Sequence, residues 1–165
     1  MAVADPNAAR PEVSDVRSTQ ENRCPRVGVG IMVVDAEERV LLTLRRRPPE
    51  PGSWSILGGR VELFERLEDC AVREAREEAG VDVIVERLLC VTDHIVEAES
   101  DHWVSPAYLG RIVRGDPINV EPDKTFEVRW FPLADLPRNL TITARRAVDA
   151  YRDSSQSTSP SVVRQ

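Results

Sequence analysis

The chain has 165 residues, 41% of them hydrophobic and 30% charged, and a formal net charge of −6. These proportions describe one ordinary globular domain, long enough to bury roughly two thirds of the surface its unfolded chain exposes. The acidic balance argues against a nucleic-acid polymer or an anionic membrane as partner, and an anionic small molecule would need a cation or a local arginine cluster to bind.

Three cysteines, Cys24, Cys70 and Cys90, form an odd set without CxxC spacing. They read as thiols of a reducing cytoplasm rather than as a disulfide framework or a zinc site. No apolar run resembles a signal peptide or approaches the ~20 residues that span a bilayer.

Residues 1–24 are rich in Ala, Pro and charge without periodicity, and are expected to form a disordered arm. Residues 25–152 form the expected compact domain, and 153–165 a flexible tail. The domain opens with the β-branched run Val27–Val34, a turn at Asp35–Glu38, and Arg39–Arg45 as its expected hairpin partner. Pro48, Pro49 and Pro51 mark a loop, after which Trp54–Leu57 is a short apolar strand running into Gly58-Gly59. Leu67–Ala79 is rich in Ala, Leu, Glu and Arg and predicts a helix that stops at Gly80. Asp82–Val96, Trp103–Val113 and Thr125–Phe131 follow as strands. Thr141–Tyr151 is a closing amphipathic helix, with Ile142, Ala147, Val148 and Tyr151 as its candidate buried positions.

On the predicted helix, Glu74, Glu77 and Glu78 stand at i, i+3 and i+4 and so share one face. Three like charges there disfavour the bare helix by ~0.2–0.5 kcal/mol per pair. A hard divalent cation, which prefers oxygen ligands, converts that repulsion into affinity. Arg73 and Arg76 lie beside the acidic face, while Leu67, Cys70 or Ala71, Ala75 and Ala79 offer small residues for packing on a sheet.

These residues belong to a longer pattern. Gly59, Glu65, Arg73-Glu74, Glu77-Glu78 and Gly80-Val81, with Ala75 at an apolar slot, match every specified position of the Nudix box. Over about Val27 to Tyr151 the chain resembles Nudix hydrolases. The resemblance implies an α/β fold with a mixed β-sheet sandwiched between α-helices. It also implies Mg²⁺-dependent hydrolysis of a pyrophosphate linkage in a nucleotide, with Mn²⁺ as a substitute ion. In that reading Glu77 and Glu78 are metal ligands, Glu74 is base or ligand, and the Gly58 carbonyl is a further ligand. Arg73 positions a glutamate, and Glu65 holds Arg73 or reaches the metal through water. A homodimer is common among related folds, although nothing in this sequence specifies an interface.

Flanking segments bear on the substrate. Asp101–Gly110, Asn119–Lys124 and Trp130–Pro137 resemble Nudix enzymes that act on nucleoside triphosphates. A nucleotide sugar or ADP-ribose as substrate, or a non-catalytic nucleotide-sensing module, are the alternatives. Glu121 is a candidate extra carboxylate, set against the reading of a solvated loop residue. Arg45 and Arg47, in the triplet Arg45-Arg46-Arg47, suit phosphate oxygens through arginine forks, or else merely solvate a strand edge. Trp54 and Trp103 are candidates for stacking on a base or for the core; Phe64, His94 and His102 are candidate substrate contacts. Three residues depart from the family pattern: Leu57 where Pro is common, Phe64 where Gly is common, and Arg66 where a Ser or Thr helix cap is common.

Overall fold

A computed structural model describes residues 24–96 and 101–156. Among the described residues, seven strands and two helices occur in the order β1 (Arg26–Val33), β2 (Arg39–Arg45), β3 (Trp54–Ser55), β4 (Leu57–Arg60), α1 (Leu67–Ala79), β5 (Asp82–Val96), β6 (Asp101–Arg114), β7 (Thr125–Pro132) and α2 (Ile142–Gln156). The strands form a mixed four-stranded sheet, β4-β1-β6-β5, and a three-stranded sheet, β3-β2-β7. In the first sheet β1 runs parallel to β6 and antiparallel to β4.

Strand alternation divides the core in two. Val29, Ile31 and Val33 of β1 pack with Cys70, Ala71, Ala75 and Ala79 of α1. Met32 points the other way, into a cluster with Ala144, Ala147 and Val148 of α2. The two helices therefore cover opposite faces of the mixed sheet, as expected of a sandwich. The small residues of α1 let the helix approach the sheet closely, and its end is a left-handed Gly80. There the Gly80 amide bonds the Arg76 carbonyl and the Val81 amide the Ala75 carbonyl, the first being the bond of an αL stop.

Two expectations are corrected. β1 and β2 do not form a hairpin: they meet only at a Val34–Val40 bridge, and β2 pairs instead with β3 and β7. Six consecutive residues of β1, from Gly28 to Val33, are buried, as befits a central strand covered on both faces and paired with β4 and β6. The segment Trp54–Leu57 is not one strand but two. It changes sheets at Ile56, so that Trp54 pairs with Leu44 while Leu57 pairs with Ile31.

The closing helix also runs further than expected, through Gln156. Residues 157–165, and residues 1–23 of the arm expected over 1–24, lie outside the described residues. No helix among the described residues is long and apolar enough to cross a membrane.

Candidate active site

The Gly58-Gly59 step in β4 sets the position of the acidic helix face. Gly58 has φ +154°, and a Cβ on it would collide with the Val29 carbonyl of the neighbouring strand. A Cβ on Gly59 would collide with the Glu74 carboxylate. Glycine at 59 thus lets a glutamate side chain lie directly on strand backbone. Beside it, the Gly58 amide donates to Glu78 Oε2 at 3.0 Å. Glu74 and Glu78 are both buried, each 9% exposed, whereas Glu77 is more open.

Arg73 organises this group. Its Nε donates to Glu65 Oε1 at 2.7 Å and Nη2 to Glu65 Oε2 at 2.9 Å. Nη1 reaches Glu74 Oε1 at 2.6 Å and Glu77 Oε2 at 3.2 Å, and Nη2 also meets the Arg60 carbonyl. Glu65 therefore holds Arg73, one of the two arrangements the sequence left open.

The electrostatics follow from burial and pairing. Hydrogen bonds from Arg73 bring the Glu65 carboxyl down to about 2. Burial raises Glu74, with Arg73 partly opposing it. Burial pushes Glu78 up to about 8, against the single amide of Gly58. Cys70, packed under Arg73, is pushed up to about 12, chiefly by burial, and does not act as a thiolate.

Glu74, Glu77 and Glu78 border a cleft of about 940 Å³. Among the described residues no three His, Cys, Asp or Glu side chains already converge as a metal cage, because Arg73 holds Glu74 and Glu77 while Gly58 holds Glu78. The donor set nevertheless fits a hard divalent cation. It is entirely oxygen, and two of its carboxylates are buried with too few donors to favour their charged forms.

Other expected contacts separate cleanly. Arg45, Arg47, Glu121, His94 and Trp103 line the cleft. Arg45 is braced by the Pro48 and Pro49 carbonyls and Arg47 by the Asp123 carbonyl; Arg46 instead covers the Phe126 ring. Trp54, Phe64 and His102 do not line it. Trp54 is 7% exposed and packs edge-on against Phe131 in the α2-side core. Phe64 is 96% exposed. His102 sits on β6 beside Trp103, on the opposite face of the sheet, with Asp93 at 3.9 Å.

Lys124 was not singled out from the sequence. It lines the cleft and pairs with Glu121 at 2.6 Å, and its spacing of three from a glutamate was the available signal. Thr141 was placed only in the closing helix. Its hydroxyl caps α2 through the Ala144 amide and meets Ser55, closing the cleft from that side.

A model of the NUDIX domain matches residues 25–151. The chain belongs to the Nudix family. Among solved structures, this Nudix domain is similar to a MutT NUDIX hydrolase from Burkholderia pseudomallei. The two share 43% identity and a TM-score of 0.74 over 77% of this chain and 98% of that one. Among curated proteins it is 30% identical over 131 residues to the NAD-capped RNA hydrolase NudC of Stutzerimonas stutzeri, covering 77% of this chain and 43% of that protein. It is 28% identical over 106 residues to an ADP-ribose pyrophosphatase of Methanocaldococcus jannaschii, covering 64% and 62% respectively. This Nudix domain thus spans less than two thirds of the length of either curated relative.

Proposed function

We propose that this Nudix domain is a Mg²⁺-dependent pyrophosphohydrolase that splits a phosphoanhydride bond in a nucleoside triphosphate or a related nucleoside diphosphate derivative. The observation that carries this reading is the burial of Glu74 and Glu78 against Gly59 and Gly58 at the cleft, with the full acidic helix face beside them. Family membership supports it, as does the similarity to relatives named for hydrolysis of nucleotide compounds.

In this reading Glu74, Glu77 and Glu78, with the Gly58 carbonyl, hold the cation, and Glu74 doubles as the candidate base. When bound, the cation neutralises phosphate charge and lowers the pKa of an attacking water. Arg73 orients Glu74 and Glu77 through its Nη1. Arg45, Arg47 and Lys124 supply positive charge for phosphate oxygens at the cleft rim, and Glu121 offers a further carboxylate. Water attack at phosphorus breaks the P–O bond of the bridging oxygen, which leaves on the departing phosphate. The three unpaired cysteines support a cytoplasmic setting.

The test is a panel of nucleoside triphosphates, nucleotide sugars and ADP-ribose with Mg²⁺, with Mn²⁺, and with chelator, resolved by product. Pyrophosphate and a monophosphate from a triphosphate are expected, together with loss of turnover in Glu78→Gln. Near-normal activity in that nearly isosteric variant would overturn the site assignment. Nucleotide binding without turnover under any ion would favour a sensing module.

A further inference from the structure

The cleft has an end that the acidic helix does not reach. Trp103 and Ser105 alternate along β6, and His94 pairs with Trp103 across the β5–β6 ladder. The three side chains therefore project from one face of the sheet, and all three line the cleft. Trp103 is the only Trp, Tyr or Phe among the described residues that does so.

Its ring is held in place. The indole N–H donates to Asp101 Oδ2 at 3.2 Å, and the Arg26 guanidinium, paired with Asp101, lies 4.3 Å from the ring centroid. The polar atom of the indole and one ring face are thereby used, leaving the π-face away from Arg26 as what it offers. Neither His94 nor Ser105 has a side-chain hydrogen bond among the described residues. A fixed aromatic surface beside free donors and acceptors is the usual make-up of a small-molecule site.

Gly28 joins this end to the acidic one. A Cβ there would stand 3.3 Å from the Gly59 carbonyl oxygen, 3.3 Å from Ser105 Oγ and 3.4 Å from Trp103 Cε3. The indole edge and the Gly59 backbone thus face each other across a notch that one methyl group would fill. Gly59 is where the Glu74 carboxylate rests. β6 and β4 lie on either side of β1, two strand spacings or about 10 Å apart.

We infer that Trp103, flanked by His94 and Ser105, receives the nucleobase of the substrate, with the sugar over Gly28 and the diphosphate at Gly58-Gly59. This rests on the reading of the cleft as a nucleotide site. It assigns to Trp103 the stacking role for which Trp54 is too buried.

Calorimetric binding of AMP, GMP, CMP and UMP, each against ribose 5-phosphate, tests it without metal or turnover, since none of these ligands contains a phosphoanhydride. At least one nucleotide is expected to bind about tenfold or more tightly than the base-less sugar phosphate, given the strength of base–aromatic stacking. Trp103→Ala should erase that preference while leaving ribose 5-phosphate binding unchanged, and Trp103→Phe should keep most of it. Equal binding of base-bearing and base-less ligands by the parent protein would overturn the inference. So would a preference that survives Trp103→Ala. If Trp103→Ala fails to fold by circular dichroism, the parent and the Trp103→Phe protein decide, and loss of the preference in a folded Phe variant counts against a stacking role. Failure of the hydrolase reading would appear in the product panel and not here.

Discussion

Arg73 grips Glu65 through two parallel hydrogen bonds, 2.7 Å from Nε and 2.9 Å from Nη2. The same guanidinium has its remaining nitrogen on Glu74 and Glu77, so one planar group couples the start of α1 to its acidic face. A lysine has the charge but not the fork. Arg73→Lys is therefore expected to lower turnover or metal affinity on the order of ten- to a hundredfold, the usual cost of losing a partner behind a ligand. Metal titrations followed by melting temperature, alongside steady-state rates, check this; a lysine variant indistinguishable from the parent would show that charge alone suffices.

Gly59→Ala places a methyl group where the Glu74 carboxylate now lies. The expected outcome is a folded protein with weakened metal binding and strongly reduced turnover, because Glu74 must leave its position on β4. Unchanged kinetics would mean that Glu74 has no part in the reaction.

Glu78 links pH to stability. Its carboxyl is held up at about 8 by burial, against an ordinary value of 4.5. Between those values the folded protein keeps a proton that the unfolded chain has released, so this group lowers stability progressively as pH rises through the interval. Glu78→Gln has no such proton. In chelator, the parent should lose more stability than the variant between about pH 6 and pH 9, by about 1 kcal/mol or more. Added divalent cation should restore the parent at the higher pH and not the variant. Parallel pH profiles would show that Glu78 titrates near its ordinary value.

Phe64 occupies a left-handed backbone conformation, φ +68°, while its ring is almost fully exposed. A side chain in that region costs roughly 1–2 kcal/mol, partly offset in glycine by greater freedom of the unfolded chain. Phe64→Gly should stabilise the protein by about 0.5–1 kcal/mol in denaturant unfolding. A destabilised variant would indicate that the ring makes contacts worth more than the strain.

Arg66 is the N-cap of α1, with φ −79° and ψ 149° and no side-chain cap hydrogen bond. The backbone is already suited to a capping hydroxyl, and a cation there opposes the helix dipole. Arg66→Ser is expected to add about 1 kcal/mol of stability, measured by chemical denaturation, with activity near the parent's.

Much of this chain could be read in one dimension. The bounds of α1 and β5 emerged from composition and punctuation, because Gly80 ends the helix by a conformation only glycine adopts readily, and β-branched runs declare strands. The acidic face was legible because i, i+3, i+4 spacing is a property of one helix. Pairing was not legible. β1 reads equally well as half of a hairpin or as a central strand, and nothing within Trp54–Leu57 announces that Ile56 divides two sheets. Such choices depend on which distant strands compete for the same backbone groups.

The aromatic and basic candidates illustrate the same limit. Trp54, Trp103 and Phe64 are similar in kind, yet one is core, one lines the cleft and one stands in solvent; Arg45 and Arg47 face the cleft while the residue between them covers Phe126. Local sequence sets which residues share a helix face, where strands end and what chemistry a run of carboxylates permits, since these follow from covalent geometry over a few residues. Burial, the raised pKa of Glu78, the seat of Glu74 on Gly59 and the meeting of Gly28 with Trp103 came only from the packed molecule, because each depends on segments far apart in the chain being excluded from water together.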